Sequence, residues 1–83
     1  MNAEQRLLDA GYEDILYFVN PSYDDALIGV TALDNRAVYD YEKMIYHLIK
    51  EEDMSWEEAA EFIDCNTLSA YFGEGTPIII FGV

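Results

Sequence analysis

The side chains in this sequence that could support covalent catalysis are the single cysteine, Cys65, and the single histidine, His47. A cysteine nucleophile needs a base and an orienting group that converge with it in one pocket. The two side chains fall on different predicted helices, and neither is surrounded by the sequence signature of a cysteine hydrolase. We therefore predict that Cys65 is a small residue at a helix flank and that His47 is a partly exposed polar residue.

Carboxylates are abundant enough to suggest acid–base catalysis or metal binding. Glu57, Glu58 and Glu61 could act as a glycosidase does only if they lined a cleft and their pKa values were set apart. One histidine and one cysteine are too few for a transition-metal site. Gly73 and Gly75 lack the lysine and hydroxyl of a phosphate-binding loop. We expect a protein that is not an enzyme and that binds no metal or cofactor.

The acidic residues are densest in residues 51–64, a stretch that contains no basic residue. The acids there are Glu51, Glu52, Asp53, Glu57, Glu58, Glu61 and Asp64. Fixed on helices, the first six could resemble the phosphates of a nucleic acid and bind a basic groove of another protein. The alternative is a solvated helix face, and the sequence leaves both interpretations open.

The whole chain is strongly acidic, with 17 acidic and 4 basic residues and a formal net charge of −13. Such a protein would be repelled by the phosphates of nucleic acids and by anionic membrane surfaces. We therefore expect no direct nucleic-acid binding and no membrane binding.

The sequence also suggests an intracellular location. Its first residues contain neither the basic region nor the apolar region of a secretory signal. The apolar runs are too short to cross a bilayer, and a single cysteine is compatible with a reducing compartment. We expect a cytoplasmic protein.

The N-terminal part of the chain predicts a short helix followed by a strand. Asn2 is a good N-cap, Gln5 follows three residues later, and Gly11 is a suitable stop, so the helix is expected at residues 3–10. Residues 15–19, ILYFV, are β-branched and aromatic, which favours a strand.

Two further strands are expected to continue an antiparallel meander. Residues 20–25 form a loop, and residues 26–33 predict a second strand in which Gly29 marks a bulge. Residues 34–35 provide a turn, and residues 36–39 can return as a third strand.

Asp40 is the expected N-cap of the clearest helix in the sequence. Apolar residues then recur with helical spacing and form one stripe. The stripe consists of Tyr41, Met44, Ile45, Leu48 and Ile49.

A second helix begins at a capping box formed by Ser55 and Glu58. Its apolar face is expected to contribute to the core. That face consists of Trp56, Ala59, Ala60 and Ile63.

The elements predict one α+β domain that spans residues 1–83. Residues 77–81 supply a final strand. We expect a small antiparallel sheet, a three-strand meander plus the C-terminal strand, packed against the helical pair and a short N-terminal helix. Among the tyrosines, Tyr41 is expected in the core, and Tyr23 and Tyr46 are expected to be exposed.

Most of the chain, roughly residues 12–81, resembles a group of small acidic proteins of bacteriophages and integrated elements. The resemblance lies in the segments VYDYEKM, EEDMSWEEAAEFIDCNT and PIII. The resemblance implies a protein made in the cytoplasm of an infected bacterial cell. Small acidic phage proteins often bind and block a host protein, and anti-CRISPR inhibitors of nucleic-acid-guided nucleases are among them. The resemblance implies no catalytic motif.

Two hypotheses about function follow. The first is a non-enzymatic phage or prophage protein that binds a basic host protein through Glu51, Glu52, Asp53, Glu57, Glu58 and Glu61, as an anti-CRISPR or nucleic-acid-mimic inhibitor would. The second is a small structural or accessory phage protein that forms homo-oligomers, such as a homodimer, through an apolar sheet face.

Overall fold

The computed structural model describes residues 2–19, 21–67 and 75–83 and shows an α+β fold. The strands form a three-stranded mixed sheet in the order β1-β2-β3, and residues of the sheet and the helices share one hydrophobic core. The elements in chain order are α1 (Ala3–Asp9), β1 (Leu27–Val30), β2 (Ala37–Asp40), α2 (Tyr41–Glu52), α3 (Trp56–Phe62) and β3 (Ile78–Ile80). A 3-10 turn at Asp24–Ala26 precedes β1, and a π-helical turn at Ile63–Thr67 extends α3.

Helix α1 begins where the sequence predicts and ends one residue earlier. The Asn2 side chain accepts a hydrogen bond from the Gln5 backbone N–H at 2.8 Å, which confirms the N-cap. Gly11 has a φ of 91°, a left-handed conformation that glycine adopts readily, and it follows the end of the helix. The buried residues Ala3 and Leu7 attach this short helix to the core.

The strand predicted at residues 15–19 is wrong, because this segment is irregular. The Phe18 backbone N–H donates to the Tyr39 hydroxyl at 3.1 Å, so a side chain serves as its acceptor. Phe18 is buried, with its ring centroid 4.7 Å from that of Tyr39. The apolar residues of this segment thus contribute to the core without joining the sheet.

Strands β1 and β2 form the predicted antiparallel hairpin, although β1 is shorter than expected. The register shifts between Leu27 and Gly29, which confirms the predicted irregularity near Gly29. The turn between the strands places Asn35 in the left-handed region at a φ of 51°. Thr31 closes the turn by accepting the Arg36 backbone N–H on its hydroxyl at 2.8 Å.

The predicted all-antiparallel sheet is wrong in one respect, since β3 pairs with β2 in parallel. Val38 lies opposite Ile78, and Asp40 lies opposite Ile80. A parallel pair requires a crossover between its strands, and here α2 and α3 lie in that connection. The sheet therefore has three described strands, with β1 and β3 at its edges.

Helix α2 supplies the largest part of the core. The Asp40 side chain accepts from the Lys43 backbone N–H at 3.0 Å, which confirms this N-cap. Of the predicted stripe, Met44, Ile45 and Leu48 are fully buried, and the two flanking members are partly buried. None of the helices in the described ranges is long and apolar enough to cross a membrane.

The π-helical turn after α3 is fixed to the core at both ends. Ile63 and Thr67 are buried, whereas the three residues between them are exposed. The Thr67 hydroxyl shares a buried hydrogen bond of 3.0 Å with the Tyr23 hydroxyl. Tyr23 is 0% exposed, so the prediction that it is exposed is wrong.

Candidate functional site

The six predicted acids are all exposed and lie on consecutive elements, and we call them the acidic surface. Glu51 and Glu52 end helix α2, Asp53 follows as its C-cap, and three glutamates lie on α3. The surface consists of Glu51, Glu52, Asp53, Glu57, Glu58 and Glu61.

Five of these six carboxylates have no hydrogen bond or ion pair with another described residue. The sixth, Glu58, accepts from the Ser55 backbone N–H at 3.0 Å, while the Glu58 backbone N–H donates to the Ser55 hydroxyl at 3.2 Å. This capping box was predicted, and the hydrogen bond from the Ser55 backbone lowers the pKa of Glu58. Glu58 therefore has a hydrogen-bonded capping role that the other five lack.

The position of Glu51, Glu52 and Asp53 is electrostatically unfavourable for the helix. The C-terminal end of a helix carries partial negative charge, so each acid there destabilises it by about 0.3–1 kcal/mol at low ionic strength. Asp53 also lies in the left-handed region, at a φ of 55°. Helix stabilisation can explain Glu57 and Glu58 in the first turn of α3, but it cannot explain these three residues.

The basic residues of the chain do not compensate for this charge. The Arg6 and Arg36 side chains donate to the backbone carbonyls of Asp24 and Thr76, each at 2.7 Å. The ion pair found among the described residues joins Arg36 to Asp34 at 3.9 Å. Lys50 lies in the last turn of α2, where it interacts favourably with the helix dipole.

An exposed aromatic pair lies beside the acidic surface. The rings of Tyr46 on α2 and Trp56 on α3 meet edge to face with their centroids 5.7 Å apart. Tyr46 is 53% exposed, which confirms its prediction. Trp56 is 47% exposed, so its predicted place in the core is wrong. It is the first residue of α3, and its ring packs against Tyr46.

A groove with a volume of about 350 Å³ opens beside α3 and the π-helical turn. Its apolar floor comes from Met54 and Phe62, which are half-buried and pack against the core. Its polar rim comes from Glu58, Glu61, Cys65 and Asn66. The sequence predicted the two glutamates but not the floor, although Met54 and Phe62 are two of the apolar residues that interrupt the acidic stretch.

A second pocket of about 250 Å³ lies between α1 and residues 12–17. Its carboxylate Glu4 accepts a short hydrogen bond from the Tyr17 hydroxyl, which raises the pKa of Tyr17. This carboxylate already has a hydrogen-bond partner, whereas Glu61 in the groove has none among the residues that the structure describes.

Cys65 and His47 are not joined by any hydrogen bond in the described part of the chain. Cys65 is exposed at the groove, and His47 is half-buried with its ring centroid 5.6 Å from that of Tyr23. The His47 Nδ1 atom is buried and has no hydrogen-bond partner among the described residues. Within the described ranges, no group of three or more His, Cys, Asp and Glu side chains could hold a metal ion.

Comparison with known proteins identifies no relative of this chain: no family model matches it, and no curated protein or solved structure matches it.

Proposed function

We propose that this protein binds a basic surface of another protein through its acidic surface and has no catalytic activity of its own. The observation that carries the proposal is the accumulation of Glu51, Glu52 and Asp53 at the C-terminal end of α2. They have no cationic partner among the described residues, and the helix dipole disfavours them. Carboxylates that a helix dipole disfavours and no cation compensates are typical of functional or strained sites.

A purely solubilising role explains this arrangement less well. Solubility depends on net charge, so acids could be placed at positions that also stabilise helices. Here the chain places three at positions that destabilise one helix. A partner with Lys and Arg side chains at matching positions would remove this repulsion, which supports a binding role.

The exposed pair of Tyr46 and Trp56 suits the same interface. Tryptophan and tyrosine are enriched among residues that dominate binding energy, and aromatic faces also attract Lys and Arg cations. The pair lies where α2 and α3 meet, so one partner surface could contact both the aromatic rings and the acids.

We propose a phage or prophage origin and a basic host protein as the partner class. A nucleic-acid-binding groove is the kind of surface that a rigid array of carboxylates would fit, as in a nucleic-acid mimic. An anti-CRISPR inhibitor, which blocks a nucleic-acid-guided nuclease, is one form of this function. The site of action would then be the cytoplasm of the bacterial host.

Capture from a bacterial lysate with the immobilised protein tests this function. We expect specific basic proteins to bind at about 0.05 M salt and to leave at about 0.5 M salt, because screening shortens the range of charge interactions. The triple variant Glu51→Gln, Glu52→Gln, Asp53→Asn should capture little of them. Equal capture by both proteins at both salt concentrations would contradict the proposal.

A homodimer is the second candidate, and the exposed apolar end of edge strand β3 favours it. Ile80 is 37% exposed and Phe81 is 71% exposed. An edge strand presents unpaired backbone groups to which a second copy could add. Size-exclusion chromatography with light scattering would reveal a dimer that persists at high salt, and the variant Phe81→Asp should return it to a monomer.

A further inference from the structure

We propose that the groove beside α3 binds one arginine side chain of the basic partner, an inference that rests on the proposed function. The groove combines an apolar floor with carboxylates on one rim in a single concave site. This combination matches a long side chain with an apolar stem and a cationic end.

The floor can accept the aliphatic stem and the planar guanidinium group of an arginine side chain. Met54 and Phe62 are half-buried and packed against the core, so their exposed parts are held in place. A guanidinium group stacks on aromatic rings, and it is more weakly hydrated than an ammonium group. Phe62 therefore favours arginine over lysine in this position.

The rim offers hydrogen-bond acceptors that suit a guanidinium group. Glu58 lines the groove, and its carboxylate is engaged by Ser55 through the backbone N–H and the side chain. The Glu61 carboxylate also lines the groove and has no hydrogen bond to a described residue. Asn66 donates through Nδ2 to the Phe62 carbonyl at 3.1 Å, which fixes the amide and leaves Oδ1 as an acceptor. Arginine carries five N–H donors in a planar fork, and lysine carries three on a single atom.

The π-helical turn holds this rim in position. Its ends, Ile63 and Thr67, are buried, and Thr67 is bonded to Tyr23, so Cys65 and Asn66 between them are held at the groove. π-Helical turns recur at functional sites because they alter the direction of neighbouring side chains. Here the turn brings Cys65 and Asn66 to the groove.

The single thiol of the chain provides a direct probe of occupancy, because Cys65 lines the groove and is exposed. The rate of its alkylation by iodoacetamide, which is uncharged, can be measured with three matched Gly-Ser-X repeat peptides. X is arginine, lysine or citrulline, the last being a neutral analogue of arginine. We expect the arginine peptide to slow alkylation by at least about threefold, the lysine peptide to slow it less, and the citrulline peptide to have no effect.

Glu61→Gln and Glu42→Gln form a matched pair for the same assay. Both residues are exposed helical glutamates with no hydrogen bond to a described residue, and only Glu61 belongs to the acidic surface and lines the groove. We expect Glu61→Gln to weaken binding of a fluorescent arginine peptide about fivefold and Glu42→Gln to weaken it less than about twofold. Circular dichroism spectra that match the wild type would show that both variants are folded.

Several results would overturn the groove assignment. Equal weakening by the two variants would do so, as would arginine binding that leaves the Cys65 rate unchanged or an absence of arginine binding. If arginine and lysine peptides bind equally and salt-sensitively without protecting Cys65, the groove assignment fails while the acidic surface remains a binding surface. Failure of the proposed function would be detected separately, as unchanged binding of the captured partner to variants of the acids that lie outside the groove.

Discussion

The backbone N–H of Asp53 donates to the carbonyl of Leu48, and this contact ends α2 with Asp53 in the left-handed conformation. Helices commonly end in this way, and glycine is the usual residue at the left-handed position because a Cβ atom is unfavourable there. Asp53 thus combines a backbone conformation that suits glycine with a charge that the end of the helix disfavours.

Replacing Asp53 should therefore stabilise the protein. Asp53→Gly should raise the free energy of unfolding by about 0.5–1 kcal/mol, because it relieves both the left-handed strain and the unfavourable charge. Asp53→Asn should raise it less, because it removes only the charge. Urea denaturation of the three proteins measures the effect, and destabilisation by glycine would show that the carboxylate has a structural partner.

Acids at opposite helix ends should respond to neutralisation with opposite signs. Glu52→Gln removes a charge at the C-terminal end of α2 and should stabilise by about 0.3–1 kcal/mol. Glu57→Gln removes a charge in the first turn of α3 and should destabilise by about the same amount. Thermal unfolding at low salt tests the signs, and both effects should shrink at high salt. Shifts of the same sign would contradict the electrostatic account of the surface.

The capping box should stabilise the first turn of α3 and lower the pKa of Glu58. Ser55→Ala should lower the free energy of unfolding by about 1 kcal/mol, because the hydroxyl that accepts the Glu58 N–H is lost. The variant should also raise the pKa of Glu58 towards its ordinary value, because the lost hydrogen bond from the Ser55 side chain is one of the interactions that lower this pKa. NMR titration of the Glu58 side chain measures this, and an unchanged pKa would contradict it.

The same contact predicts a pH dependence of stability. The pKa of Glu58 is lower in the folded protein than its ordinary value of 4.5. The stabilising contribution is therefore fully present above that value and is lost as the pH falls through the lowered pKa. Glu58→Gln should abolish this part of the acid response, and an unchanged acid profile would show that other groups dominate it.

The buried hydrogen bond between Tyr23 and Thr67 should stabilise the π-helical turn. Tyr23→Phe leaves the Thr67 hydroxyl buried without this partner and should cost about 1–2 kcal/mol. Thr67→Val should cost a similar amount, and the double variant should cost less than the sum of the two. A double-mutant cycle from urea denaturation measures this coupling, and strictly additive effects would contradict a direct interaction.

Local sequence signals predicted the helices well and the sheet only in part. Asn2, Asp40 and Ser55 each cap the helix that follows, because caps depend on residues a few positions apart. Residues 15–19 have strand-like composition, yet Phe18 finds its hydrogen-bond acceptor in the side chain of Tyr39, a distant residue. Such a contact cannot be read from neighbouring residues.

The exposure of side chains could likewise be predicted from local spacing but not from distant contacts. Tyr46 lies off the apolar stripe of α2 and is exposed as that spacing indicates. Tyr23 lies in a polar loop, but its left-handed backbone and its bond to Thr67 place it in the core. The acidic surface was visible as composition, whereas the groove required α3, the connector residue Met54 and the π-helical turn to be placed together.

If the location of the acids determines binding, two variants of equal net charge should bind the partner differently. One replaces Glu51, Glu52 and Glu57 with Gln, and the other replaces Glu13 and Glu42 with Gln and Asp25 with Asn. All six are exposed and lack hydrogen bonds to described residues, and each set contains one acid from the first turn of an α-helix.

The measurement is the Kd of the captured partner as a function of salt for these two variants and the wild type. We expect the first variant to bind at least about tenfold more weakly than the wild type and with a smaller salt dependence, and the second to stay within about twofold of the wild type. Equal weakening by the two variants would show that net charge alone governs binding and would contradict the acidic surface as the binding site.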